Sequence, residues 1–201
     1  MKKIAFALLM SASAIVATPA AAQSVTGTVN VTGTVASRCS VIEANLEKAT
    51  FSGTIDLGRL DAANGTLRSE LTSSTSIAPA DAKKVSVRVV CTSSNPTIGV
   101  SATKLAIAGS TAAGTGYANS IDYVAALRVN TASATTPLAE VKFDTRTNST
   151  AVTAQLGARI AGGSSDNVEV NISNLRTAAV SDVLNQGTYN SVVSLSITPT
   201  L

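Results

Sequence analysis

Val85-Ser86-Val87-Arg88-Val89-Val90-Cys91 sets apolar residues at every second position, 85, 87, 89 and 91. A period of two with β-branched side chains is the signature of a half-buried strand. The same period recurs outward from it. Ile98, Val100 and Ala102 follow at once, then Tyr123, Ala125, Leu127 and Val129, then Val168, Val170 and Ile172. Tyr189, Val193, Leu195 and Ile197 close the chain. Between these runs lie turn-forming stretches: Asn64-Gly65, Asn95-Pro96, 109–116, 131–137, 162–165 and Gln186-Gly187. Short strands at this spacing imply an all-β fold, an antiparallel sandwich of two sheets. The stretch 174–184 is read as a helical turn or two, and 59–83 as a long polar loop between early strands.

The N-terminus reads as an export signal. Met1-Lys2-Lys3 is basic, 4–17 is apolar apart from Ser11 and Ser13, and Ala20-Ala21-Ala22 precedes Gln23. That order marks a cleaved secretory signal over 1–22. The run is shorter than the ~20 apolar residues a membrane span needs. A mature chain of residues 23–201 suffices for one core and one domain. Taking Lys2 and Lys3 from the 15 basic residues leaves 13 against 12 acidic ones, so the mature charge is +1. No basic block remains for phosphates, and nucleic acid is not an expected partner.

Two cysteines, Cys39 and Cys91, fall in the mature part. An even count in an exported chain favours a disulfide. By chain entropy a loop of this size contributes ~4 kcal/mol. The rival reading, free or metal-binding thiols, lacks ligands: there is no His and no CxxC pair.

The expectation is that the chain is not an enzyme and holds no cofactor or metal. Without His there is no Ser-His-Asp or Cys-His apparatus. Ser101-Ala-Thr-Lys104 and Ser165-Asp166-Asn167 match two motifs of serine β-lactamases, but the third, K-T-G, is absent. Ser101 lies in an alternating pattern, whereas that chemistry sets Ser and Lys one helical turn apart. The stretch 109–116 lacks the lysine of a phosphate loop, and no D-x-D-x-D calcium loop exists. Asp56, Asp61 and Asp166 read as solvated turn residues. Few aromatic residues are available to a sugar-binding face, and Tyr117 in its Gly-rich loop is the one expected to be exposed.

Gln23–Arg38 stands apart. Val25, Gly27, Val29, Val31, Gly33 and Val35 occupy odd positions, Thr and Asn the even ones, and no charge appears before Arg38. A bare strand of this kind is an aggregation hazard unless it pairs. It is either the first strand of its own domain or a strand added to another subunit.

Four segments carry a resemblance. They are the alternating 25–35 ahead of Cys39-Ser-Val, Phe51-Ser-Gly-Thr-Ile-Asp-Leu-Gly58, the cysteine strand 85–92, and Gly187-Thr-Tyr189 leading into 190–197. Together they resemble pilus subunits of the chaperone–usher type, in the archaic branch that includes spore-coat-U-like proteins. The resemblance implies an immunoglobulin-like sandwich over 39–201 that lacks its last strand. It implies that 23–38 is a donor-strand extension, with Val25, Val29, Val31 and Val35 entering pockets and Gly27 or Gly33 at a shallow one. Gly187, Tyr189, Val193, Leu195 and Ile197 would form the terminal strand. The implied partners are other copies or related subunits, a periplasmic chaperone and an outer-membrane usher, and the implied location is the cell surface. The other function classes are a self-contained secreted coat or matrix protein and a surface adhesin.

Overall fold

The structure is a computed structural model and describes residues 27–73, 84–110 and 113–200. The signal expected over 1–22, and Val25 of the expected donor strand, lie outside the described residues. The chain divides into two units, Met1–Thr34 and Val35–Leu201. In the first, residues 27–34 form no strand, and their side chains are exposed.

The second unit is all-β and antiparallel but for one short parallel pair, with no α-helix among the described residues. A broad sheet runs β12 (Tyr189–Asn190), β5 (Leu105–Ile107), β7 (Ser120–Asn130), β10 (Val168–Arg176), β3 (Lys84–Cys91), β1 (Cys39–Glu43) and β2 (Leu46–Lys48). The strand β8 (Leu138–Asp144) also pairs with β7. A second sheet runs β13 (Val193–Thr198), β4 (Thr97–Ala102) and β9 (Val152–Gln155). A short parallel pair joins β6 (Tyr117–Ala118) to β11 (Val183–Leu184).

The two sheets enclose one core. The alternation read from the sequence places Tyr123, Ala125, Leu127 and Val129 inside, opposite Ile98 and Val100 of β4. Val168, Val170 and Ile172 lie beside them, and Val141 and Phe143 of β8 complete the layer. This is the sandwich expected from period-two strands. The outer face of the broad sheet carries an alternating charge ladder across four strands. Lys84 meets Glu169 at 2.8 Å, Arg128 lies 3.8 Å from Glu169 and 2.8 Å from Glu140, and Lys142 meets Glu140 at 3.0 Å.

Two expectations are corrected. No helical turn forms over 174–184. The strand β10 continues to Arg176 through a bulge at Asn174, whose φ of +52° an Asn side chain tolerates. Leu175 is buried, and Arg176 bonds Asp144. The described part of 59–83 is the loop expected between β2 and β3, with local order of its own. Asp61 bridges Leu67 around the Asn64-Gly65 turn, and a 3-10 turn, Ser69–Thr72, buries Leu71 where it packs against β10. The second correction is that the closing stripe is two strands. Tyr189 belongs to the broad sheet through β5, and Val193, Leu195 and Ile197 belong to the second sheet through β4.

Candidate functional site

The strands β1 and β13 belong to opposite sheets and flank an open groove of about 670 Å³. Its floor is Val85, Val89, Leu105, Tyr123, Val170 and Ile172. One wall is Val193, Leu195 and Ile197, the inward-facing residues of β13. The other is Val41 together with 49–55 and Leu57, where Phe51, Ile55 and Leu57 pack on the core. Among the described residues, no lining side chain is charged. Val41, Val89, Leu105, Tyr123, Val170 and Ile172 are already buried, whereas Val85, Phe51, Ile55, Leu57, Val193, Leu195 and Ile197 are half-buried, so apolar surface remains for an occupant mainly on the walls.

The strand β13 bounds this groove and pairs with β4 alone among the described strands. Its six residues, Val-Ser-Leu-Ser-Ile-Thr, include no charge and no proline. An edge of that composition is a template for another strand. The edge at β2 is different: Lys48 bonds Glu43 across the hairpin, and Arg38 lies 3.7 Å from Glu47. Charged side chains blunt that edge.

The groove has two distinct ends. At one, the Tyr123 hydroxyl bonds Ser191 Oγ, which donates to the Thr103 carbonyl at 2.7 Å. Tyr189 donates from its hydroxyl toward the carbonyls of Ala118 and Asn185, at 2.9 and 3.0 Å. Burial raises the Tyr123 hydroxyl above its ordinary range, partly offset by the Ser191 bond, and burial raises Tyr189 likewise. This end is therefore polar but uncharged. At the other end Cys39 and Cys91, directly opposed in β1 and β3, are bonded to each other. There Thr200 N donates to Ser93 Oγ at 3.2 Å and Ser93 Oγ donates to Thr200 O at 3.0 Å. So β13 runs from the tyrosine end to the disulfide end, while β1 starts at the disulfide and runs away from it. The two strands flanking the groove are antiparallel.

The structure brings five of the thirteen expected residues to the groove. Cys39, Tyr189, Val193, Leu195 and Ile197 all line the groove. Gly187 does not line it, and packs on Ile107, where an added Cβ would lie 2.8 Å from Cδ1. Gly27, Val29, Val31, Gly33 and Val35 are without strand structure, and Val29, Val31 and Val35 are 86%, 91% and 83% exposed. The wall formed by 49–57 went unassigned in the sequence, yet Phe51, Gly53, Ile55 and Leu57 fall at alternate positions. The period of two marks the floor residues Val85, Val89, Val170 and Ile172 as the apolar faces of half-buried strands and does not by itself show a groove.

The motif matches have structural roles. Ser101 sits in β4 opposite Ser194, and Lys104 lies 3.1 Å from Asp122. Asn167 is buried, and its carboxamide accepts from Val89 N at 2.8 Å and donates to Val89 O at 2.7 Å. Asp56 accepts from Gly58 N at 2.8 Å, and Asp61 pairs with Arg59 at 2.9 Å, as turn residues do. Tyr117 is 53% exposed.

Comparison with protein-family models, with curated proteins and with solved structures gives no match to this chain.

Proposed function

We propose that this chain is a structural subunit of a surface fibre, a pilus or fimbria of the chaperone–usher type that its sequence resembles. Each copy donates residues 25–35 to the groove of a neighbour. One observation carries the reading: an uncharged apolar groove runs beside the uncharged edge of β13, and the same chain bears an uncharged, alternating segment whose Val29, Val31 and Val35 are exposed. Each valine moved from water into such a groove contributes ~1.5–3 kcal/mol. Backbone pairing with β13 would satisfy donors and acceptors on both strands. The disulfide fits an oxidising compartment. The contact is head-to-tail, so it extends a fibre instead of closing a dimer. Before assembly the groove needs a temporary occupant, the role the resemblance gives to a periplasmic chaperone, with an outer-membrane usher as the place of exchange.

The test mixes the protein lacking 23–35 with intact protein and reads polymer length by electron microscopy and unboiled gels. The deleted form accepts a strand but donates none, so it should cap fibres and shorten them. Unchanged length, with the deleted form folding only when 23–35 is restored in the same chain, would favour the self-contained coat or matrix protein.

A further inference from the structure

Residues 25–35 read Val-Thr-Gly-Thr-Val-Asn-Val-Thr-Gly-Thr-Val, the same sequence from either end, centred on Asn30. The six odd positions are Val, Gly, Val, Val, Gly, Val in both directions. A strand with this pattern offers the groove the same side chains whether it runs with β13 or against it. Side-chain fit therefore cannot distinguish a neighbour's segment running against β13 from the chain's own segment folded back to run with it. The chain's own segment has a large advantage, because a short tether gives an effective concentration of about millimolar. Its tether ends at Cys39, which lines the groove. Something other than side-chain pattern must hold it out.

We propose that Thr92 is that device, a positioning residue that keeps the extension from closing its own groove and so commits it to a neighbour; this rests on the strand-donation reading above. Folding back requires a reversal between Val35 and Cys39, through Ala36, Ser37 and Arg38. Thr92 engages two of those three. Its N–H donates to Arg38 O at 2.9 Å, its Oγ1 accepts from Arg38 N at 2.9 Å, and the same hydroxyl donates to Ala36 O at 2.9 Å. The side chain takes the place of a ladder bond, since Thr92 O is occupied by Arg159 Nη1 at 3.0 Å. Ala36 and Arg38, immediately ahead of the start of β1 at Cys39, are thereby tied to the residue after β3. A tight reversal needs turn dihedrals at those residues and would break these bonds.

The experiment uses full-length exported protein in four forms: wild type, Thr92→Val, Thr92→Ser, and a form with Gly-Ser-Gly inserted between Val35 and Ala36. Unboiled gels give the polymer ladder, and limited proteolysis reports whether 25–35 is covered. Wild type and Thr92→Ser should form ladders. Thr92→Val and the insertion, which frees the turn without touching Thr92, should shift to monomers whose 25–35 segment resists protease. A Val29→Asp, Val31→Asp double variant separates the two claims: it should give monomers whose segment is cleaved. If that variant polymerises as wild type does, strand donation itself fails. If it loses the ladder while Thr92→Val and the insertion both keep wild-type ladders, strand donation stands and the role of Thr92 is overturned.

Discussion

Gly53 lies directly against Val85: a Cβ built at 53 would sit 2.7 Å from Val85 Cγ1 and 2.8 Å from Cγ2. This approach lets the strandless wall 49–57 settle on the groove floor. Valine has little rotamer freedom with which to yield. Gly53→Val should therefore destabilise the domain by ~1–3 kcal/mol through overpacking, read as a lower urea midpoint at constant slope. Gly162→Val, where no atom lies within 4 Å, should leave the midpoint unchanged.

The bond between Cys39 and Cys91 closes a separation of 52 residues. Chain entropy gives such a loop ~4 kcal/mol. Replacing both cysteines with alanine should lower unfolding free energy by about that amount, measured by denaturant titration. The native protein should show a mass two hydrogens below the reduced one.

Asn167 holds β3 to the loop before β10, with bonds to both Val89 backbone groups and to Ala161 O at 2.8 Å. Asn167→Ala leaves the Val89 N–H without its partner. An orphaned buried group costs ~1–3 kcal/mol, so the expected result is a lower melting temperature. Asn167→Asp should also destabilise, since a carboxylate cannot donate to Val89 O or Ala161 O.

Acid should weaken the fold through three carboxylates. Partial burial raises Glu140, Glu169 and Asp144, but bonds from Arg128 and Lys142, from Lys84 and Asn171, and from Arg176 outweigh it, leaving all three below their ordinary values. A depressed folded-state value contributes stability that is present above the unfolded value, ~4 for these groups, and lost as pH falls through the folded one. The urea midpoint should be flat near neutrality as far as these groups are concerned, and fall below about pH 4. Glu140→Gln and Glu169→Gln should flatten that fall.

The strands legible in the sequence are those with one buried face, where Val85 to Cys91, Tyr123 to Val129 and Val168 to Ile172 write their burial as alternation. The groove was legible only in halves. Val193, Leu195 and Ile197 announce a strand, but no local pattern reveals that β13 has β4 as its one neighbour among the described strands, because strand order is a long-range property. The wall at Phe51 to Leu57 alternates without pairing, so its period alone could not assign it. Asn174 and Arg176 were misread for a related reason. The bulge there depends on Leu175 reaching the core and Arg176 reaching Asp144, contacts between strands distant in sequence. Short strands such as β5 and β11 are set by their partners and carry too few residues to show a period.

The central claim is that the groove beside β13 takes residues 25–35 from another molecule. The direct measurement is thermal unfolding of the protein lacking 23–35, titrated with a synthetic peptide of residues 23–37. Binding to the folded state alone raises stability with ligand concentration, by ~2.7 kcal/mol at one hundred times the dissociation constant. The account predicts a melting temperature that climbs with the native-sequence peptide and does not move with a peptide carrying Val29→Asp and Val31→Asp. No shift with the native sequence, or an equal shift with both peptides, would contradict it.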